Sequence, residues 1–221
     1  DPLHQRAGRV ADRERHRLGA RADRIDVRRS GRAAIVDYKT GGSPTDAMVK
    51  AGGDTWFFLT ADYAFGHALE RDTAAVVEKN GGKVVGKVRH PFPGTDFSSF
   101  LLQAQTSKAK IIGLANAGSD TINSIKQASE FGIVQGGQNL AALLAFITDV
   151  HALGLKTSQG LIMTEAWYWD LNDNNREFAK KFAPQFKGVH PTMVHAGVYS
   201  AVMHYLKAVH ELKSDADGAA V

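Results

Sequence analysis

At 221 residues, with 43% hydrophobic and 23% charged positions, the chain has material for one or two domains with a sizeable core and reads as an ordinary globular protein. It has no cysteine, which excludes disulfides, thiol nucleophiles and cysteine metal sites. No apolar run approaches the ~20 residues of a membrane helix, so no membrane insertion is expected.

The formal charge of +4 is unevenly spread. Residues 1–32 hold ten of the thirteen arginines and no lysine against five acids, whereas residues 33–221 hold fourteen lysines and three arginines against eighteen acids. An arginine-rich arm fits contact with nucleic acid or a membrane surface, or a solvated tail. The change from arginine to lysine marks a junction between stretches of different character. The chain begins at Asp1 without an apolar signal segment, so any targeting sequence is expected to have been removed or left out.

Residues 1–18 offer almost nothing apolar. RADRID and AAIVDYKTG then flank Ser30-Gly31, so strands over 22–27 and 33–38 are expected to pair as an antiparallel hairpin. That pairing would place Asp23 near Asp37, with Lys39 on the same face as Asp37. Two carboxylates and a lysine suit metal-assisted phosphodiester hydrolysis: the carboxylates hold Mg²⁺, the metal activates water, and the ammonium steadies developing charge.

From residue 48 the pattern becomes regular. The block Trp56-Phe57-Phe58-Leu59 has the continuous apolar character of a strand covered on both faces. Phe65, Leu69, Val76 and Val77 follow at helical spacing, and Asn80-Gly81-Gly82 stops the helix. A second strand is expected over 83–90. After the turn Pro91-Phe92-Pro93-Gly94, Asp96 is placed as the cap of a helix carrying Phe97, Phe100, Leu101 and Ala104 inward. Residues 110–115 make a third strand and Asn116-Ala117-Gly118 its turn. Ser119 is read as the cap of a helix with Ile122, Ile125 and Ala128 buried, ending near Gly132. Residues 140–147 fit either a strand or the start of a helix. A further strand is expected over 160–167, then helices over 174–186 and 191–212. Strands alternating with helices at this spacing mean an α/β fold with a parallel sheet and helices on both faces.

The sequence lacks a GxGxxG turn, a GxxxxGK[ST] loop, an HExxH pair and a GxSxG elbow around Ser119. In open α/β sheets the ligand crevice lies at the carboxyl ends of the strands. The residues expected there are Tyr63, Phe65, Asn116, Ser119, Trp167 and Tyr168, an aromatic and neutral-polar set suited to a small organic solute. For Phe65 and Trp167 a plain core role is the competing reading.

Two resemblances follow from these residues. ADRID, the short hairpin and VDYKTG, over about 18–45, resemble the PD-(D/E)XK nuclease module of bacterial helicase–exonuclease complexes. That likeness implies Asp23 and Asp37 as metal ligands and Lys39 as the catalytic lysine; the alternative is a hairpin fragment without activity. Over about 48–213, VKAGGDTWFFLTADYAFGHAL, GKVVGKVRHPFPGTDFSSFLLQAQTSKAKIIGLANAG, TEAWYWDLND and PTMVHAGVYSAVMHYLKAV resemble the periplasmic solute-binding proteins of ABC transporters, in the Leu/Ile/Val-binding family.

That second resemblance implies one lobe of a two-lobed type I binding protein, truncated, with the helix that returns to the other lobe. It further implies a ligand-facing ring at Phe65, polar contacts from the turn at 116–119, and Trp167 and Tyr168 lining the cleft. The expected organisation is an arm and hairpin over 1–46 and a solute-binding lobe over 47–221. The expected function is non-catalytic capture of an amino acid or an aromatic or other small carboxylate, without a cofactor. The expected partners are the membrane subunits of an ABC importer, in the periplasm, with nucleic acid involved only if the arginine-rich arm is functional. The rivals are a metal-dependent exonuclease fragment and a chimeric chain with no function as it stands.

Overall fold

The computed structural model describes residues 26–30, 33–37, 44–216 and 218. Its strands are β1 (Asp26–Ser30), β2 (Ala33–Asp37), β3 (Thr55–Ala61), β4 (Lys83–His90), β5 (Ile111–Ala115), β6 (Asn139–Ala142) and β7 (Leu161–Glu165). Its α-helices are α1 (Pro44–Lys50), α2 (Ala64–Lys79), α3 (Ser98–Thr106), α4 (Ser119–Glu130), α5 (Ile147–Leu153), α6 (Asp173–Phe182) and α7 (Met193–Leu212). A 3₁₀ turn, Ala183–Gln185, follows α6.

The strands form one sheet in the order β1-β2-β7-β6-β5-β3-β4. The five strands from β7 to β4 pair in parallel, as the alternation of strands and helices predicts. β1 and β2 pair antiparallel with Asp26 opposite Asp37. A hairpin is therefore present; residues 22–25 of the expected first strand lie outside the described residues, and Ser30 belongs to that strand instead of forming the turn. Asp23 and Lys39 lie outside the described residues.

The described chain divides into two compact units. The first comprises the residues up to Ala145 together with Asp149–Thr164; the second comprises Phe146–Thr148 and the residues from Glu165 onward. In the first unit β3 is an interior strand, between β5 and edge strand β4, and Trp56, Phe58 and Leu59 have no exposed surface. Burial on both faces explains why β3 reads as an unbroken apolar run. Leu101 of α3, Leu114 of β5 and Ile125 of α4 are equally closed off. Edge strand β4 instead alternates, with Lys83, Val85, Lys87 and Arg89 exposed.

Helix α2 departs from the stripe that its apolar residues predict. Val77 of that stripe is buried as expected, but Phe65, Leu69 and Val76 are only half-buried, and Gly66 and Glu70 are buried with Val77. The helix turns this face inward because Gly66 lets it approach the strands. A Cβ at Gly66 would collide with the carbonyl oxygen of Ala61 and meet that of Ala115 at 3.0 Å. The start of α2 thus rests directly on the ends of β3 and β5.

Glu70 holds the middle of the same helix. Its carboxylate accepts a hydrogen bond from the Thr60 hydroxyl at 2.7 Å and one from the Lys87 ammonium at 2.7 Å, joining α2 to β3 and β4. Burial pushes this carboxyl up, but the hydrogen bonds from Lys87 and Thr60 and the charges of Lys87 and Arg89 outweigh burial and hold it below its usual range.

The remaining elements lie close to the expected ones, although β7 ends at Glu165 and α6 at Phe182, short of the expected 167 and 186, and three further local differences appear. Asp96 accepts the Ser98 amide at 2.9 Å, yet Phe97 occupies the cap position of α3. Ser119 is the first residue of α4 and not its cap; Gly118, at φ +60°, takes the cap position in a conformation that favours glycine. Residues 140–147, ambiguous by periodicity, split into the end of β6 and the first residue of α5.

In the second unit Asn172 caps α6 by accepting the Asn175 amide at 2.9 Å. Arg176 binds Asp170 at 2.9 Å and Asp173 at 2.6 Å, fixing the turn before that helix. Helix α7 carries an outward row of Val194, Val198, Val202, Tyr205 and Leu212, each about half exposed.

Two outcomes test this account. Gly66→Ala is expected to lower unfolding free energy by about 3 kcal/mol, since backbone carbonyls cannot step aside as a side chain can; urea denaturation measures it. Glu70→Ala leaves the Thr60 hydroxyl buried without its acceptor and is expected to cost about 1–3 kcal/mol at neutral pH. Because the folded carboxyl sits below its unfolded value, that contribution is present above the ordinary glutamate range and is lost as pH falls through the lowered value. The gap between the two proteins in urea should therefore close in acid.

Candidate functional site

The carboxyl ends of β3, β4 and β5 point the same way because these strands are parallel. Three turns meet there: residues 62–63 after β3, 91–97 after β4 and 116–118 after β5. The Asp62 amide donates to the His90 carbonyl at 2.9 Å, tying the first two turns together.

Beneath these turns lies a polar cluster with no exposed surface: His90, Asn116, Asp120, Thr121 and Ser124. The Thr121 hydroxyl donates to Asn116 Oδ1 at 2.8 Å, and Asn116 Nδ2 donates to Ser124 Oγ at 3.2 Å and to His90 Nε2 at 3.3 Å. His90 Nδ1 lies 2.9 Å from the Pro91 carbonyl, which can only accept, so Nδ1 carries the proton and Nε2 receives the Asn116 amide. The Asp120 carboxylate accepts the Gly94 amide with both oxygens at 3.2 Å and lies 3.7 Å from His90 Nδ1. The Phe97 ring meets His90 edge-on at 4.8 Å. Every member finds a partner, as burial demands.

Of the residues expected at the crevice, Asn116 is therefore fully enclosed, with its amide committed inward. Ser119 is exposed, and its hydroxyl lies 3.5 Å from Asp120 Oδ1. Tyr63 and Phe65 stand together, half-buried, with ring centres 5.8 Å apart. Tyr63 also stacks on Phe92 at 4.4 Å and 22°, so three rings form a row at this end of the sheet. Phe92 was read only as a turn residue; the signal available was a large aromatic held between two prolines in a turn.

Beside the rings is a small charged group. Asp62 Oδ1 lies 2.7 Å from His67 Nε2 and 3.8 Å from the Arg89 guanidinium. Helix α2 begins at this point with no side-chain cap and no acid in its first turn. Its first N–H groups and the positive end of its dipole favour an anionic group nearby.

Trp167 and Tyr168 belong to the second unit. Trp167 meets Phe178 edge-on at 5.6 Å and borders a groove with Phe178, Tyr199, Met203, His204 and Lys207. Tyr168 is half-buried beside Trp169 at 5.8 Å, and Trp169 stacks on His190 at 3.7 Å. Asp37 lies in β2 opposite Asp26, while its proposed partners Asp23 and Lys39 fall outside the described residues.

Comparison with known proteins places this geometry in a family. The family described as periplasmic binding protein matches residues 33–221, and the PD-(D/E)XK nuclease superfamily matches residues 3–61. No curated protein matches the chain. Among solved structures, a periplasmic binding protein from Burkholderia mallei is 59% identical, with a TM-score of 0.72 over 77% of this chain and 45% of that one. A branched-chain amino-acid ABC transporter periplasmic ligand-binding protein from Burkholderia xenovorans LB400 is 39% identical, with a TM-score of 0.69 and the same shares. A solute-binding protein of an ABC transporter from Rhodopseudomonas palustris BisB5, in complex with 3,4-dihydroxybenzoic acid, is 23% identical with a TM-score of 0.66, over 80% of this chain and 49% of that one, and shares the fold. The chain thus spans a little under half the length of these relatives. With a match covering most of its length, a parallel α/β sheet of the expected order and two such relatives, the chain belongs to the periplasmic binding protein family.

Proposed function

We propose that the chain is one lobe of a non-catalytic binder that captures an amino acid or small carboxylate for an ABC-type importer. The observation that carries this reading is the ring row at Tyr63, Phe65 and Phe92 beside the uncapped start of α2. Rings offer a surface for the apolar part of a solute, and the helix start favours its anionic end. The relative named as a branched-chain amino-acid binder supports the class of solute. The rings of Tyr63 and Phe65 and the hydroxyl of Ser119 are the proposed contacts in the first unit. Asn116 is proposed to act there through the turn it anchors. Trp167 and Tyr168 keep the ligand-facing role that the resemblance implies for the second unit.

The partners on this reading are the membrane subunits of the importer, and the compartment is the periplasm. The outward row on α7 fits a helix that a counterpart lobe covers in the whole protein. The boundary between the arm with its hairpin and the binding lobe is proposed near residue 46.

A binder that encloses its solute between two lobes loses about half of its contacts when only one is present. If the whole protein holds its solute with about 8 kcal/mol, half leaves about 4 kcal/mol, which is millimolar. The 221-residue chain alone is therefore expected to bind leucine or benzoate with millimolar Kd, and Phe65→Ala should weaken that binding further. Calorimetry at high solute concentration checks both. Micromolar binding would contradict the half-site reading.

The nuclease superfamily match over residues 3–61 favours a second reading, a metal-dependent exonuclease fragment using Asp23, Asp37 and Lys39. We expect the chain to leave linear DNA intact with Mg²⁺ or Mn²⁺, because two carboxylates hold a metal poorly without surrounding support. Cleavage that disappears in Lys39→Ala would establish the second reading instead.

A further inference from the structure

Resting on the binding reading above, we infer that Phe92 is a specificity-determining residue that selects an aromatic solute over an aliphatic one. Phe92 leaves β4 by way of Pro91, so it emerges at the same end of the sheet as the turn after β3. The hydrogen bond from the Asp62 amide to the His90 carbonyl fixes the two turns together. Phe92 packs one face on Tyr63 at 4.4 Å and yet remains 53% exposed.

A large apolar side chain in that state does little for the core. Its neighbours explain why it is held there. Phe97, five residues on, is fully buried and locked against His90, while the Gly94 amide is bound by Asp120. The loop between is thus anchored at the buried cluster, and its ring is presented outward.

The row Phe65–Tyr63–Phe92 extends the ligand-facing surface from the turn after β3 onto the edge strand. Stacked and tilted rings at these separations attract a further ring through the same quadrupole geometry, beyond what apolar contact alone supplies. An aliphatic solute gains only the apolar contact. Selection between the two classes therefore falls on the ring character of Phe92 and not on its bulk.

The test uses the whole chain with saturation-transfer NMR titrations of benzoate and of leucine. Phe92→Leu keeps an apolar residue in the turn but removes the ring. It should weaken benzoate about three- to tenfold and leave leucine within about twofold. Phe131→Leu, an exposed ring after α4 at the other end of the strands, should change neither. Circular dichroism confirms that both variants stay folded. Equal effects on both solutes, or no effect of Phe92→Leu, would overturn the role of Phe92 while leaving the binding reading intact. Failure of the unaltered chain to bind either solute would overturn both.

Discussion

The carboxyl end of this sheet depends on a buried set of hydrogen bonds with no spare member. His90 ends β4, Asn116 follows β5, and Asp120, Thr121 and Ser124 come from the first turns of α4. Their atoms are matched donor to acceptor, so the three elements share one registry. An unsatisfied group in this position costs roughly 1–3 kcal/mol, more than the net gain of any single bond. The network thus acts less as a source of stability than as a constraint on where the turns can sit. The aromatic row above it inherits its position from that constraint.

A second constraint acts from the helix side. Gly66 and Glu70 occupy the buried face of α2, where periodicity alone leads one to expect apolar side chains. Glycine removes the spacer between helix and strand ends, and the glutamate reaches across to Thr60 and Lys87. Both devices serve proximity: one by deleting atoms, the other by bridging. The first turn of α2, which carries Phe65, is thereby held at the mouth of the sheet beside Tyr63.

Much of the fold was legible because its signals are local. The unbroken apolar run at 56–59, the stops at Asn80-Gly81 and Gly132, and the valine-rich 83–90 each report a neighbourhood of a few residues. What failed to show were the features that need two distant segments. Ser119 is a local exception: it looks like a cap until its neighbour Gly118 is seen in its positive-φ conformation. Asn116 looks like a simple turn residue until His90, twenty-six residues earlier, is found beside its side chain. Glu70 looks like a surface charge until Thr60 and Lys87 close on it. Phe92 hides for the opposite reason, since a turn residue is expected to be small or polar and a proline-flanked ring is easily passed over.

The exposed side of β4 carries a further consequence. This strand ends the sheet, and its outward residues include Lys83, Lys87 and Arg89. A bare edge offers unpaired N–H and carbonyl groups to any strand of another molecule, which is how sheets polymerise into fibres. Two copies meeting edge to edge here would bring rows of cations together before their backbones could join. The same strand that carries Phe92 to the mouth of the sheet thus also limits growth of the sheet by addition of further chains.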